Sequence, residues 1–316
     1  MYKIEPVFKD YIWGGERLRK EYGKESELEI VAESWELSTH PSGICSIVVD
    51  TAKENLSDYI KKYGKSVLGE KCEEVDEIPI LIKLIDAKDN LSVQVHPDDA
   101  YAKKHENDLG KTEMWYVLEA EEGAQLVYGF KENLTKETFK ESIERNTLSQ
   151  YLNYVDVHKG DVFFINPGTM HAIGKGIVIA EIQESSNVTY RVYDYGRMGI
   201  DGKHRALHVD KALEVTCLTK EEESNKTYEM VRKEGAYVGI LANCKYFTVS
   251  RIQLEENLNL LADDSSFQHL LIVEGEVVIE KGDKQVVGHK GDSFFVPAHL
   301  GEYKVSGKGE IILSTL

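Results

Sequence analysis

Residues 158–167 read HKGDVFFINP, and residues 289–297 read HKGDSFFVP. In each copy a Gly-Asp pair marks a turn, and the aromatic run that follows it ends at a proline. Phe and Val suit a strand, and proline closes one because it brings no amide to the ladder. The likeness extends upstream, where WYVLEAEEG (115–123) resembles LLIVEGEVV (270–278). Each copy is thus a strand, a turn, a Gly-Asp turn and an aromatic strand. That order suits a double-sheet antiparallel barrel of the jelly-roll kind, and its repetition predicts two such barrels.

Outward from the repeat, most of the chain reads as short strands rich in Val, Ile, Tyr, Phe and Trp. They include 43–50, 78–86, 91–96, 113–120, 124–130, 161–166, 171–174 and 176–184. Helical spacing and polar starts predict helices within 54–69, 97–108 and 131–153, the last with Thr135 as a cap. The fold class is therefore mainly β: two cupin-like (jelly-roll, double-stranded β-helix) barrels with helical insertions in the first. The first domain is expected over 1–235 and the second over 236–316, joined by the charged stretch 218–235.

Bulk properties narrow the function. The chain has 316 residues and a net charge of −17, which argues against a nucleic-acid partner. An apolar run of membrane-spanning length is absent from the sequence, so no membrane partner is expected. The opening residues MYKIEPVFKDYIWGG lack a secretory apolar core. Cys45, Cys72, Cys217 and Cys244 are widely spaced and read as reduced thiols of a cytoplasmic protein. A monomer is expected.

The first copy alone carries a polar set. In LSVQVHPDD (91–99) strand alternation points Gln94 and His96 one way and Val93 and Val95 the other. Glu113 opens the 113–120 strand, and His171 follows the Pro-Gly turn in NPGTMHA. In the second copy Gln268 stands where Glu113 would be, Gly301 stands where His171 would be, and no QVH counterpart is found. The second barrel therefore has the frame without the polar set, and is expected to be metal-free and structural. Two imidazoles and two side-chain oxygens suit a divalent ion: zinc, manganese, iron or cobalt. The bland alternative is that each is an ordinary polar residue of a strand face, as expected for His105, His158, His204, His208, His269 and His299. Two His and one carboxylate also serve oxygen chemistry in iron enzymes, so an oxygenase stays open at this point.

The segments YIWGG (11–15), AESWELSTHPSG (32–43), PILIKLIDAKDNLSVQVHPDD (79–99), GKTEMWYVL (110–118), NPGTMHAIGKG (166–176) and EIQESSNVTYRVYDYGR (181–197) together resemble type I mannose-6-phosphate isomerase in its short bacterial form. The resemblance implies a zinc-dependent aldose–ketose isomerase acting on a sugar phosphate, with one Zn2+ per chain. It implies Gln94, His96, Glu113 and His171 as the metal ligands. It matches Arg191 to an active-site arginine, and Lys83 and Lys111 to active-site lysines. Lys111 is the leading acid/base candidate and Arg191 the leading electrophile. Lys175 and Arg197 are candidates for the phosphate, and Glu181 for a partner inside the cavity; salt bridges and solvated turns are their bland alternatives. Asn187 departs from the long members, which carry an acidic residue there. A sugar-phosphate-binding cupin without turnover is the competing reading of another class, and an iron-dependent cupin oxygenase the third.

Overall fold

A computed structural model describes residues 1–49, 51–199, 202–221 and 227–316. The repeated turn explains itself chemically. Gly160 and Gly291 both adopt positive φ, at 94° and 93°, a region open to glycine at little cost. The aspartate after each closes the turn: Asp161 Oδ2 accepts the His158 amide at 2.8 Å, and Asp292 Oδ2 accepts the His289 amide at 3.0 Å. A Cβ on Gly291 would come within 2.0 Å of the Tyr22 carbonyl oxygen, so glycine is required there on two counts.

The architecture is mainly β, in antiparallel sheets of the cupin jelly-roll type rather than closed barrels. The chain forms two compact units. One comprises residues 1–9, 16–84 and 227–316; the other comprises 10–15 and 85–226.

In the first unit an eleven-stranded sheet is built around two long strands, Gln268–Lys281 and Gly301–Thr315, which pair antiparallel. Tyr2–Glu5 pairs with the repeat strand Ser293–Val296, placing Tyr2 opposite Phe295. The inward residues Leu270, Ile272, Phe294, Val296 and Ile311 form one buried cluster. Each is worth about 1.5–3 kcal/mol of burial. Part of the stretch read as a connector is itself sheet, because Val231–Lys233 pairs with Ala236–Asn243. Residues 222–226 of that stretch lie outside the described residues.

In the second unit one sheet runs, in order, Leu152–Asp156, Gln125–Phe130, His171–Ala172, Val93–Val95 and Tyr190–Tyr193. Glu113–Ala120 is flanked by Val162–Ile165 and Ile177–Glu184. Val93, Val95, Val127 and Phe130 pack with Phe139, Leu148 and Ala212 from the helical segments. One face of the five-stranded sheet is thus covered by helices, and Gln94, between two valines, turns to the other.

The 131–153 region holds one α-helix, Lys136–Glu144, then a short 3-10 turn, Leu148–Gln150. Its last residues instead begin the strand Leu152–Asp156. Thr135 caps the helix by accepting the Thr138 amide at 3.1 Å. Asp98 does the same for Asp99–His105, accepting from Tyr101 at 2.8 Å.

Candidate metal centre

The donors converge through sheet register. His171 lies directly across from Gln94 on the neighbouring strand, and Arg191 across from Gln94 on its other side. Glu113 is paired to Gln183 and Ile165 by its own neighbours. His96 follows the end of its strand and is only 1% exposed. The Pro-Gly turn before His171 is tied to that strand end, since the Gly168 amide donates to the His96 carbonyl at 2.9 Å.

His96, Glu113 and His171 are all buried, and one potential ligand atom from each lies within 4.8 Å of the others. Glu113 Oε2 is 3.6 Å from His96 Nε2, and Glu113 Oε1 is 3.4 Å from His171 Nε2. The Gln94 amide reaches to 3.4 Å of His171 Nε2. Its oxygen and nitrogen exchange places by a half-turn of the last bond, so the oxygen can face the cluster.

The chemistry of this donor set fits a divalent ion. His96 Nδ1 donates to the Val188 carbonyl at 2.8 Å, and His171 Nδ1 to the Thr169 carbonyl at 2.9 Å. Those bonds place the ring proton on Nδ1 and leave both Nε2 lone pairs facing Glu113, the arrangement that metal-binding histidines use. Burial drives the His171 imidazole down to about 4, with the Lys111 charge adding to the effect, so the ring is neutral and able to ligate.

Lys111 and Glu113 share a face two residues apart on the chain. The Lys111 ammonium is 2.7 Å from Glu113 Oε2 and 3.2 Å from His96 Nε2, and it is buried. A base or acid is therefore at the rim of the donor cluster.

The other sequence-predicted residues are dispersed. Glu181 is buried in the same face and accepts from Trp115 Nε1 at 3.0 Å; that indole packs edge-on against His171 at 5.4 Å. Arg191 is half-buried. Its Nε donates to Ser92 Oγ at 3.1 Å and its Nη1 to the Ala206 carbonyl at 3.1 Å. Burial, with the Arg205 guanidinium nearby, pulls Arg191 below the ordinary arginine range. Arg197 donates to Asp194 Oδ1 at 2.5 Å. Lys175 is exposed and lines a cavity of about 290 Å³ with Asn90, Gln125, Tyr154 and Tyr195, and none of the four donors lines that cavity. Lys83 belongs to the other compact unit, where it is buried 3.9 Å from Glu33 and lies over the Trp35 ring at 5.4 Å. Asn187 is exposed.

Three further residues near the site are not singled out by the sequence motifs. Ser92 lies between Arg191 and Gln94, accepting from the Arg191 Nε at 3.1 Å with its hydroxyl 3.5 Å from the Gln94 amide. Gln183 lies across from Glu113, and its two-residue spacing from Glu181 is the one hint of it in the chain. Arg205 donates twice to Asp194, at 2.7 and 2.5 Å. Burial would raise the Asp194 carboxyl, but the bonds from Arg205 and Arg197 override it and hold it below its usual range.

Comparison with known proteins gives this geometry its setting. Two family profiles match: phosphomannose isomerase type I, catalytic domain, over residues 1–139, and mannose-6-phosphate isomerase, cupin domain, over 239–316. A mannose-6-phosphate isomerase of Streptococcus mutans is 38% identical over 303 residues, 96% of this chain and 94% of that protein. The chain belongs to the type I phosphomannose isomerase family. A second relative, a mannose-6-phosphate isomerase of Bacillus subtilis, is 36% identical over 314 residues, 99% of this chain and 98% of that protein. The crystal structure of a mannose 6-phosphate isomerase from Bacillus subtilis covers 100% of this chain and 99% of its own, at 30% identity and a TM-score of 0.93. A structure from Archaeoglobus fulgidus, at 24% identity and a TM-score of 0.81, shares the fold. Phosphomannose isomerases of type I are metal-dependent, and this chain carries a His96, Glu113, His171 cluster able to hold a metal.

Proposed function

We propose that this protein interconverts mannose 6-phosphate and fructose 6-phosphate, with one zinc ion held by Gln94, His96, Glu113 and His171. The observation that carries the reading is the convergence of the buried His96, Glu113 and His171 from three separate segments, with Gln94 beside His171 and both imidazoles oriented by main-chain carbonyls. When bound there, the ion supplies Lewis acidity toward the sugar's carbonyl oxygen.

The chain's own residues do the remaining work. Aldose–ketose isomerisation takes a proton from carbon 2 of the aldose and returns one to carbon 1, while a hydroxyl proton passes between the two oxygens. Lys111, at the rim of the donor cluster, is proposed to carry a proton. Arg191 is proposed to hold the developing enediolate oxygens with its fixed fork of donors, its Nε anchored on Ser92. Glu181 is proposed to line the substrate cavity through its bond to Trp115. Arg197 and Lys175 are proposed to bind the substrate phosphate, and Lys83 is kept as a substrate-binding candidate. For Arg197 the support is local charge: two guanidiniums share the single Asp194 carboxylate and leave a net positive locus. For Lys83 the support is its place in the family motif.

The catalytic, metal-binding domain is proposed to span 1–235 and the metal-free cupin-like domain 236–316. The cupin-domain match beginning at 239, and donors that all precede 235, support that division. Among the described residues no helix is long and apolar enough to cross a membrane, and all four cysteines are free. A reducing, cytoplasmic setting is proposed on the cysteines.

The test combines metal analysis with an isomerase assay under nitrogen. Zinc near one per chain and conversion of mannose 6-phosphate are expected. Tight sugar-phosphate binding without turnover would replace the reading with a binding protein, and an absolute need for oxygen with an oxygenase.

A further inference from the structure

The segment between Gly110 and Glu113 carries the proton-transfer candidate and one donor of the metal cluster, and its amides are bonded in turn. Gly110 donates to Asp99 Oδ1 at 3.0 Å, and Lys111 to the Pro97 carbonyl at 3.0 Å. Thr112 donates to Glu184 Oε1 at 2.7 Å. The Glu184 amide in turn donates to the Thr112 carbonyl at 3.0 Å. One residue thus grips both the amide and the carbonyl of the residue between Lys111 and Glu113. Glu184 is 2% exposed and ends the strand Ile177–Glu184. Alternation puts it on the face opposite Glu181 and Gln183, away from the donors, so it touches neither ion nor sugar.

We infer that Glu184 is a positioning residue, which sets the Lys111–Glu113 pair against the two imidazoles by fixing the Thr112 main chain. The inference rests on the metal-centre reading above. The side-chain acceptor adds a second bond to the ladder bond on the same residue. Its reach is set by χ angles packed in a buried environment, so Thr112 cannot slide along the strand without losing the bond. The alternative, a purely structural role, would affect unfolding and leave the folded centre unchanged.

Glu184 also bonds to the Asp99 carboxyl, and burial, more than that neighbour, pushes it up to about 7. Its protonated form therefore accepts from Thr112 and donates to Asp99. Glutamine can do both, which makes Glu184→Gln the conservative control.

The experiment measures Zn2+ affinity of the full chain by competition with a chromophoric chelator, alongside kcat and KM for mannose 6-phosphate. Glu184→Ala is expected to weaken Zn2+ binding by roughly 10- to 100-fold. In the zinc-saturated variant kcat should fall by a similar factor while KM changes little. Glu184→Gln should restore both to within about threefold. If Glu184→Ala does not fold, Glu184→Asp, which withdraws the acceptor by one methylene, is expected to show the same losses in part. Parental affinity and kcat in a folded Ala or Asp variant would overturn the inference, as would a Gln variant as impaired as Ala. Zinc binding that depends on residue 184 in a parent that does not isomerise would leave this inference standing and overturn the functional reading.

Discussion

His269 offers a quantitative test of how the first unit is held together. It is completely buried on the strand Gln268–Lys281, opposite Phe295. Nearby, Lys24 and Glu36 form a buried ion pair at 2.6 Å, and Ser34 and Ser293 both donate to Glu36. Burial drives the His269 imidazole from 6.5 to about 3; the Lys24 charge adds to this, and a contact with the Glu36 main chain opposes it. The unfolded chain takes up a proton at His269 as pH falls below about 6.5, and the folded chain does not until about 3. The unfolded state therefore binds more protons across that window, and stability falls as pH falls through it. At pH 5 the difference is about 1.5 pH units from the unfolded value, or about 2 kcal/mol at about 1.36 kcal/mol per unit. The replacement to make is His269→Met, because Met114 occupies the matching place in the first copy of the repeat. Methionine is of similar volume and does not titrate. Urea denaturation of parent and variant at pH 8 and pH 5 should show the parent losing about 2 kcal/mol more than the variant between the two. The depressed His171 imidazole is present in both proteins and cancels. Parallel losses, equal within about 0.5 kcal/mol, would show that His269 is protonated in the fold and that the reasoning from burial fails.

Two further outcomes bear on the metal centre. His96→Ala and His171→Ala should each lose stoichiometric metal on dialysis while keeping their far-UV circular dichroism, and a variant that retains one ion per chain would remove that residue from the ligand set. Arg191→Ala should keep its metal and lose roughly 10²–10³ in kcat, the cost of removing one preorganised donor; full activity would show that the oxygens are held by another group.

The chain itself determines those features whose causes are local. The HKGD turns are specified by a glycine that can take positive φ and an aspartate that reaches back to the amide three residues before it. The alternation of Val93, Gln94 and Val95 separates an apolar face from a polar one, and that separation makes the donors legible in the sequence. Thr135 announces its helix because the cap bond spans three residues. The short helix Val209–Val215 has no such mark, since His208 makes no side-chain cap, and the sequence does not announce it.

Tertiary structure alone decided the rest. The grip of Glu184 on Thr112 spans 72 residues, and the Ser293 bond to Glu36 spans 257. Arg205 reaches Asp194 from 11 residues along the chain, so it carries no periodic signature either. A local pattern can state which face a side chain occupies. Which distant group meets it there depends on sheet register and chain closure, and these are settled by burying the whole apolar set at once.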